Sequence, residues 1–93
     1  MKAVWSGVVI AESERSVVVD GYHYFPPSSV RAGALEPSAH RTVCSWKGTA
    51  SYFDIVVDGR RNPNAAWSYA DPKLAAKQLE GWIGFWGGVT IEQ

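Results

Sequence analysis

The stretch VCSWKGTASYFDIVVDG, residues 43–59, decides how the chain folds. Its β-branched and aromatic residues are spaced as in half-buried strands, which show alternate side chains to opposite faces. Lys47-Gly48-Thr49 reads as a turn or bulge between RTVCSWKG and TASYFDIVVDG, and Asp58-Gly59 ends the second strand. Continued through the first strand, alternation puts Thr42, Cys44 and Trp46 on one face and Val43, Ser45 and Lys47 on the other, so that Cys44 and Lys47 diverge.

Toward the N-terminus, AVWSGVVIAES and RSVVVDGYHYF read as two strands of a hairpin about the polar turn Glu12-Ser13-Glu14. Asp20-Gly21 then supplies a type I′ turn, and YHYF begins a third strand. Pro26-Pro27-Ser28 stops that strand, and Ser28 or Ser29 could cap one helical turn through Val30 and Arg31. From Gly33 to His40 no period is evident, which predicts a loop.

Toward the C-terminus, RRNPN reads as a polar turn and AAWSYA as a short strand. Asp71-Pro72 opens a short helix over Pro72 to Glu80, with Leu74, Ala75 and Leu79 as its buried stripe and Gly81 as its stop. GWIGFW and VTIEQ, joined by Gly87-Gly88, read as a last hairpin. The sum is a mainly β chain of small antiparallel sheets, one domain over residues 1–93, with one short helix near 72–80.

Nine basic and nine acidic residues cancel. The whole-molecule field therefore offers no long-range attraction to nucleic acid or an anionic membrane, and nucleic acid is not the expected partner. One cysteine cannot form an internal disulfide, no early run resembles a secretion signal, and no segment reaches the roughly 20 apolar residues of a membrane helix. The expectation is a cytoplasmic protein with no membrane partner.

Cys44 is the one candidate nucleophile of its kind, and only His23 and His40 could serve it as a base. A buried apolar role is the commoner fate of such a cysteine. A structural zinc site needs four Cys or His ligands and the chain has three, while neither GFWGG nor WKGT has the spacing of a phosphate-binding loop. No metal or cofactor is expected. The five Trp, four Tyr and three Phe are the unusual feature. Tyr22/Tyr24, Trp67/Tyr69 and Trp82/Trp86 each share a strand face, and facing stripes of this kind build a packed core or the wall of a pocket for a flat or cationic small molecule.

The blocks KAVWSGVVIAES, DGYHYFPPSSV, LEPS, TVCSWKGTASYF, VVDG, NAAWSYADPK and GGVTIE together resemble, nearly end to end, the small bacterial family known as domain of unknown function 427, also labelled nucleotidyltransferase-like. The resemblance implies a β-tent arrangement, two small antiparallel sheets splayed from a common edge. Proteins of that shape can clamp zinc with two cysteine pairs, which this chain lacks, and others hold small cyclic ligands in tryptophan-lined pockets. The family's motif positions fall on Tyr24, Pro26, Cys44, Trp46, Lys47, Gly48, Tyr52, Trp67 and Tyr69. Nucleotidyl transfer itself asks for carboxylates converging on magnesium and a donor-rich phosphate loop, and neither pattern is present.

Three functional readings follow. In the first, a small-molecule ligand is bound by Tyr24, Trp46, Lys47, Gly48, Tyr52, Trp67 and Tyr69. The second is a small enzyme, transferase-like or using Cys44 as nucleophile or Lys47 as electrostatic catalyst. The third is an interaction module whose aromatic patch docks a protein, a homodimer partner included.

Overall fold

The computed structural model describes residues 1–93 and consists of two antiparallel sheets. Strands β1 (Lys2–Trp5), β2 (Val8–Glu12) and β9 (Thr90–Glu92) form a three-stranded sheet in the order β2-β1-β9. The second sheet has the order β3-β4-β8-β7-β6-β5, from β3 (Val17–Val19), β4 (Tyr22–Phe25), β5 (Leu35–Cys44), β6 (Gly48–Val57), β7 (Arg60–Ser68) and β8 (Ile83–Phe85). No helix is long and apolar enough to cross a membrane.

Two of the tight turns are those read from the sequence. Asp20-Gly21 joins β3 to β4 and Asp58-Gly59 joins β6 to β7, all four residues at positive φ as type I′ geometry requires. Ser6-Gly7 makes a third such turn, splitting AVWSGVVIAES into β1 and β2 rather than one strand. The expected hairpin about Glu12-Ser13-Glu14 does not form, because β2 and β3 belong to different sheets. Nor do β8 and β9 pair with each other. The Gly87-Gly88 link carries the chain from one sheet to the other, where β9 pairs with β1.

Each face of the large sheet buries its own cluster. On one side Phe25, Ile55, Val57, Ala66, Ile83 and Phe85 pack with Ala3, Ile10 and Ala11 of the small sheet, so the main core lies between the sheets. Alternation sends Tyr24, Ala50 and Trp67 to the opposite side, where Tyr69, Ala76 and Leu79 join them. The segment expected to be a helix over 72–80 is instead a short 3₁₀ stretch, Leu74–Leu79, kinked at Ala76. Ala76 and Leu79 are its buried residues, whereas Leu74 is 89% exposed, so the expected Leu74-Ala75-Leu79 stripe is not the one used. Asp71 makes no capping bond there; Lys73 occupies the cap position. Gly81 does end the segment at positive φ.

Two irregularities shape the remaining strands. The region from Gly33 onward is not a loop: β5 starts at Leu35, and between Pro37 and Arg41 it carries extra residues opposite β6. RRNPN is likewise not a turn but the first half of β7, whose register shifts across from Phe53 and Ile55. At that shift Asn64 sits at positive φ, and its N–H donates to Asp54 Oδ1 at 3.0 Å, so a carboxylate replaces the lost ladder partner. Arg61 Nη1 bonds the other oxygen of Asp54 at 2.7 Å and Nη2 reaches Glu36 at 2.9 Å. Ser38 on the β5 bulge donates to Asn64 Oδ1 at 2.5 Å, tying the two bulges together.

The Asn64 N–H, with Arg61, holds the Asp54 carboxyl below its ordinary value of 3.8. A lowered carboxylate contributes stability that is complete above that value and is lost as pH falls through the depressed pKa. Asp54→Asn should therefore lower the melting temperature at neutral pH and flatten its fall into strong acid. Parallel thermal melts of wild type and variant across that range are the check, and matching acid limbs would remove this role for Asp54.

Candidate functional site

The aromatic face of the large sheet is not closed. A cavity of about 300 Å³ opens there, lined by Asp20, Tyr22, Tyr24, Lys47, Tyr52, Trp67, Tyr69 and Trp86. Tyr22 and Tyr24 reach it from β4, Tyr52 from β6, and Trp67 and Tyr69 from β7 and the residue just past it, in each case by the period-two rule.

Trp67 is the floor. Its indole meets Tyr22 edge-on with centroids 5.0 Å apart, Tyr24 at 6.0 Å, Trp86 at 6.1 Å and Tyr52 at 6.3 Å. Trp67 Nε1–H donates to the Tyr24 hydroxyl at 3.2 Å, a buried bond across strands that flank β8. The indole can lie across β8 only because residue 84 is glycine: a Cβ there would fall 2.7 Å from Trp67 Cε2 and Cζ2. Trp86 is fixed from behind by the β7 bulge, its Nε1–H donating to the Asn64 carbonyl at 2.6 Å, while Asn62 Nδ2 holds the Gly87 carbonyl at 2.7 Å. Opposite, the β5 bulge brings the His40 ring to 4.6 Å from Tyr52, whose hydroxyl shares a bond with Thr42.

The polar corner comes from two turns. Lys47 Nζ pairs with Asp20 Oδ2 at 2.8 Å, joining the β5–β6 turn to the β3–β4 turn across the face of the sheet. Lys47 is only 6% exposed, and its ammonium lies 5.0 Å from the Trp46 ring centroid and 5.7 Å from that of Tyr69. Burial works against its charge, but the bond to Asp20, aided by Tyr24, Tyr69 and Cys44, carries its pKa above the ordinary value. That same bond is the main cause holding the Asp20 carboxyl below its usual range. Burial raises the Tyr24 and Tyr69 phenols, so both stay protonated at neutral pH.

Of the residues singled out from the sequence, Tyr24, Lys47, Tyr52, Trp67 and Tyr69 line one cavity and three do not. The strand ends at Cys44, and Ser45-Trp46-Lys47 is the turn itself, so alternation does not extend to Trp46 and Lys47. Trp46 stands outside the cavity, 38% exposed, covering the Lys47 ammonium. Gly48, at φ +114°, faces Asp71, Pro72 and Lys73 rather than the cavity. Lys73 N–H donates to the Lys47 carbonyl at 2.8 Å and Lys73 Nζ to the Ser45 carbonyl at 2.7 Å, clamping the turn. Cys44 packs against the aromatic cluster without lining the cavity. Nor does it diverge electrostatically from Lys47: burial pushes the thiol up, but the backbone N–H groups of Trp46 and Lys47 and the lysine charge outweigh this and lower it.

Tyr22, Trp86 and Asp20 complete the wall and were not among the site residues chosen from sequence. Their aromatic stripes were visible, but Asp20 looked like turn chemistry alone.

The model of the family described as Domain of unknown function (DUF427) matches residues 1–92. The chain belongs to the DUF427 family. No curated protein matches it. The arrangement in this DUF427 protein provides ring faces, a buried lysine paired to a carboxylate at the rim, and phenol hydroxyls around a space large enough for one or two small rings.

Proposed function

We propose that this DUF427 protein binds a small, flat molecule in the aromatic cavity, with Lys47 at its polar end. The observation that carries the reading is the convergence of six rings from β4, β6, β7 and the end of β8 on one hollow that holds a buried lysine. A packing role alone would favour closing such a hollow, since unfilled apolar space forfeits dispersion contacts. The volume lies at the lower end of the range of small-molecule sites, which favours a ring compound over a nucleotide or peptide.

Binding is favoured over thiol chemistry because Cys44 is off the cavity wall and no histidine is among the groups acting on its thiol. It is favoured over a protein-docking patch because Tyr24, Trp67 and Tyr69 are buried rather than displayed. Nucleic-acid stacking lacks the positive groove it needs, as the lysine here is already paired to Asp20.

A thermal-shift screen of metabolites tests the reading. A ligand at a hundred times its dissociation constant adds about 2.7 kcal/mol to stability. The Tyr22→Ala variant, which truncates a half-exposed wall residue, should fold and lose most of that shift. A screen without hits, or hits that stabilise Tyr22→Ala equally, would reject the cavity as the binding site.

A further inference from the structure

Resting on that reading of the cavity, we infer that its ligand is a planar ring carrying a carboxylate, with the carboxylate taken by Lys47 and the hydroxyls of Tyr24 and Tyr69. The ground is the hydrogen-bonding balance of the wall. The Tyr24 oxygen accepts from Trp67 Nε1–H, so its own proton is left to donate. The Tyr69 hydroxyl has no protein partner and borders the cavity. Lys47 gives one bond to Asp20 and otherwise faces rings, leaving further N–H donors. Against these donors the one anionic acceptor on the wall is Asp20, which is half-exposed and already engaged by Lys47.

An excess of donors around one apolar slot fits an acceptor-only group, and an ionised carboxylate is such a group. The six rings of the wall suit the faces and edges of a flat ring. A cationic ligand is disfavoured although aromatic walls attract cations, because Lys47 already holds the cation position over Tyr69. In this arrangement Asp20 is a competitor: the incoming carboxylate takes over the Lys47 bond, and the Asp20 side chain, at the exposed rim, turns to solvent.

The test titrates the intact protein with benzoate, benzamide and benzyltrimethylammonium, reading the Trp67 and Trp86 indole N–H resonances. Benzoate should bind at least tenfold more tightly than its isosteric amide and more tightly than the ammonium. Lys47→Met should bring the benzoate-to-benzamide ratio to within about twofold. Since Lys47→Met removes a buried, ion-paired lysine and could disturb folding, Asp20→Asn gives an independent reading: benzoate affinity rises several-fold and benzamide affinity stays level. Equal or tighter binding of benzamide or the ammonium, or benzoate affinity unchanged or weakened in Asp20→Asn, overturns the carboxylate inference and leaves the cavity as a site for another ring. Failure of all three compounds to move either indole overturns both.

Discussion

Trp67→Ala is expected to lower the unfolding free energy by about 3–5 kcal/mol, the range for deleting a large buried ring, on a total that for small domains is about 5–15 kcal/mol. Trp67 is nearly buried and is the shared neighbour of Tyr22, Tyr24, Tyr52 and Trp86, so its removal takes away four ring contacts and one buried hydrogen bond together. The surrounding rings sit on two other strands, β4 and β6, and at the β8 exit, which restricts how far they can collapse into the space. Trp67→Phe retains apolar bulk and loses the indole donor, and should cost distinctly less. Urea denaturation of both variants is the check, and a loss below about 1 kcal/mol for Trp67→Ala would mean that this cluster is peripheral to stability.

The second large effect needs only one methyl group. Gly84→Ala places a Cβ 2.7 Å from two atoms of the Trp67 indole, closer than real contacts permit. Strand backbone holds residue 84 between Tyr24 and Trp67, so the indole must yield, and it can do so only by leaving the Tyr24 hydroxyl. Overpacking of this kind costs about 1–3 kcal/mol. The variant should melt earlier, show an altered Trp67 indole resonance, and lose ligand-induced stabilisation because the floor of the cavity has shifted. An unchanged melting temperature and spectrum would show that the indole has room the geometry does not give it.

The sequence carried the local signals well and the non-local ones poorly. Asp20-Gly21 and Asp58-Gly59 could be read as turns because positive φ leaves a short list of residues able to occupy them. Tyr22/Tyr24 and Trp67/Tyr69 could each be placed on one face of a strand because alternation needs no knowledge of partners, whereas Tyr52 came from the family motif and the meeting of the faces from neither. In contrast, the first half of β5, from Leu35 to His40, was hidden by Pro37 and by the bulge beside it, which interrupt the very alternation that marks a strand. The NPN segment looked like a turn for a sound reason, since Asn64 does adopt positive φ, but there it makes a bulge whose backbone is completed by Asp54 and Trp86. Pairing β9 with β1 at opposite ends of the chain leaves no local trace at all.

The site followed the same division. Lys47 was picked out for its place beside Trp46 and Gly48, but those neighbours turned out to support it: Trp46 covers the ammonium, and Gly48 takes the positive φ with which the turn enters β6. What completes the polar corner is Asp20, 27 positions earlier, brought in by the meeting of two hairpin turns. No spacing rule links the two residues, because their contact joins turns from opposite edges of the large sheet.

The central claim, that rings from separate strands form one ligand-accepting hollow, is tested most directly by the indole N–H spectrum during titration with a compound that raises the melting temperature. The chain has five tryptophans, so each cavity indole can be compared with others in the same molecule. Trp67 and Trp86 should shift together and saturate, while Trp5, which packs in the core between the sheets, stays in place. If Trp5 shifted as much as the other two, or if both cavity indoles stayed still while the protein was stabilised, the ligand would be bound elsewhere.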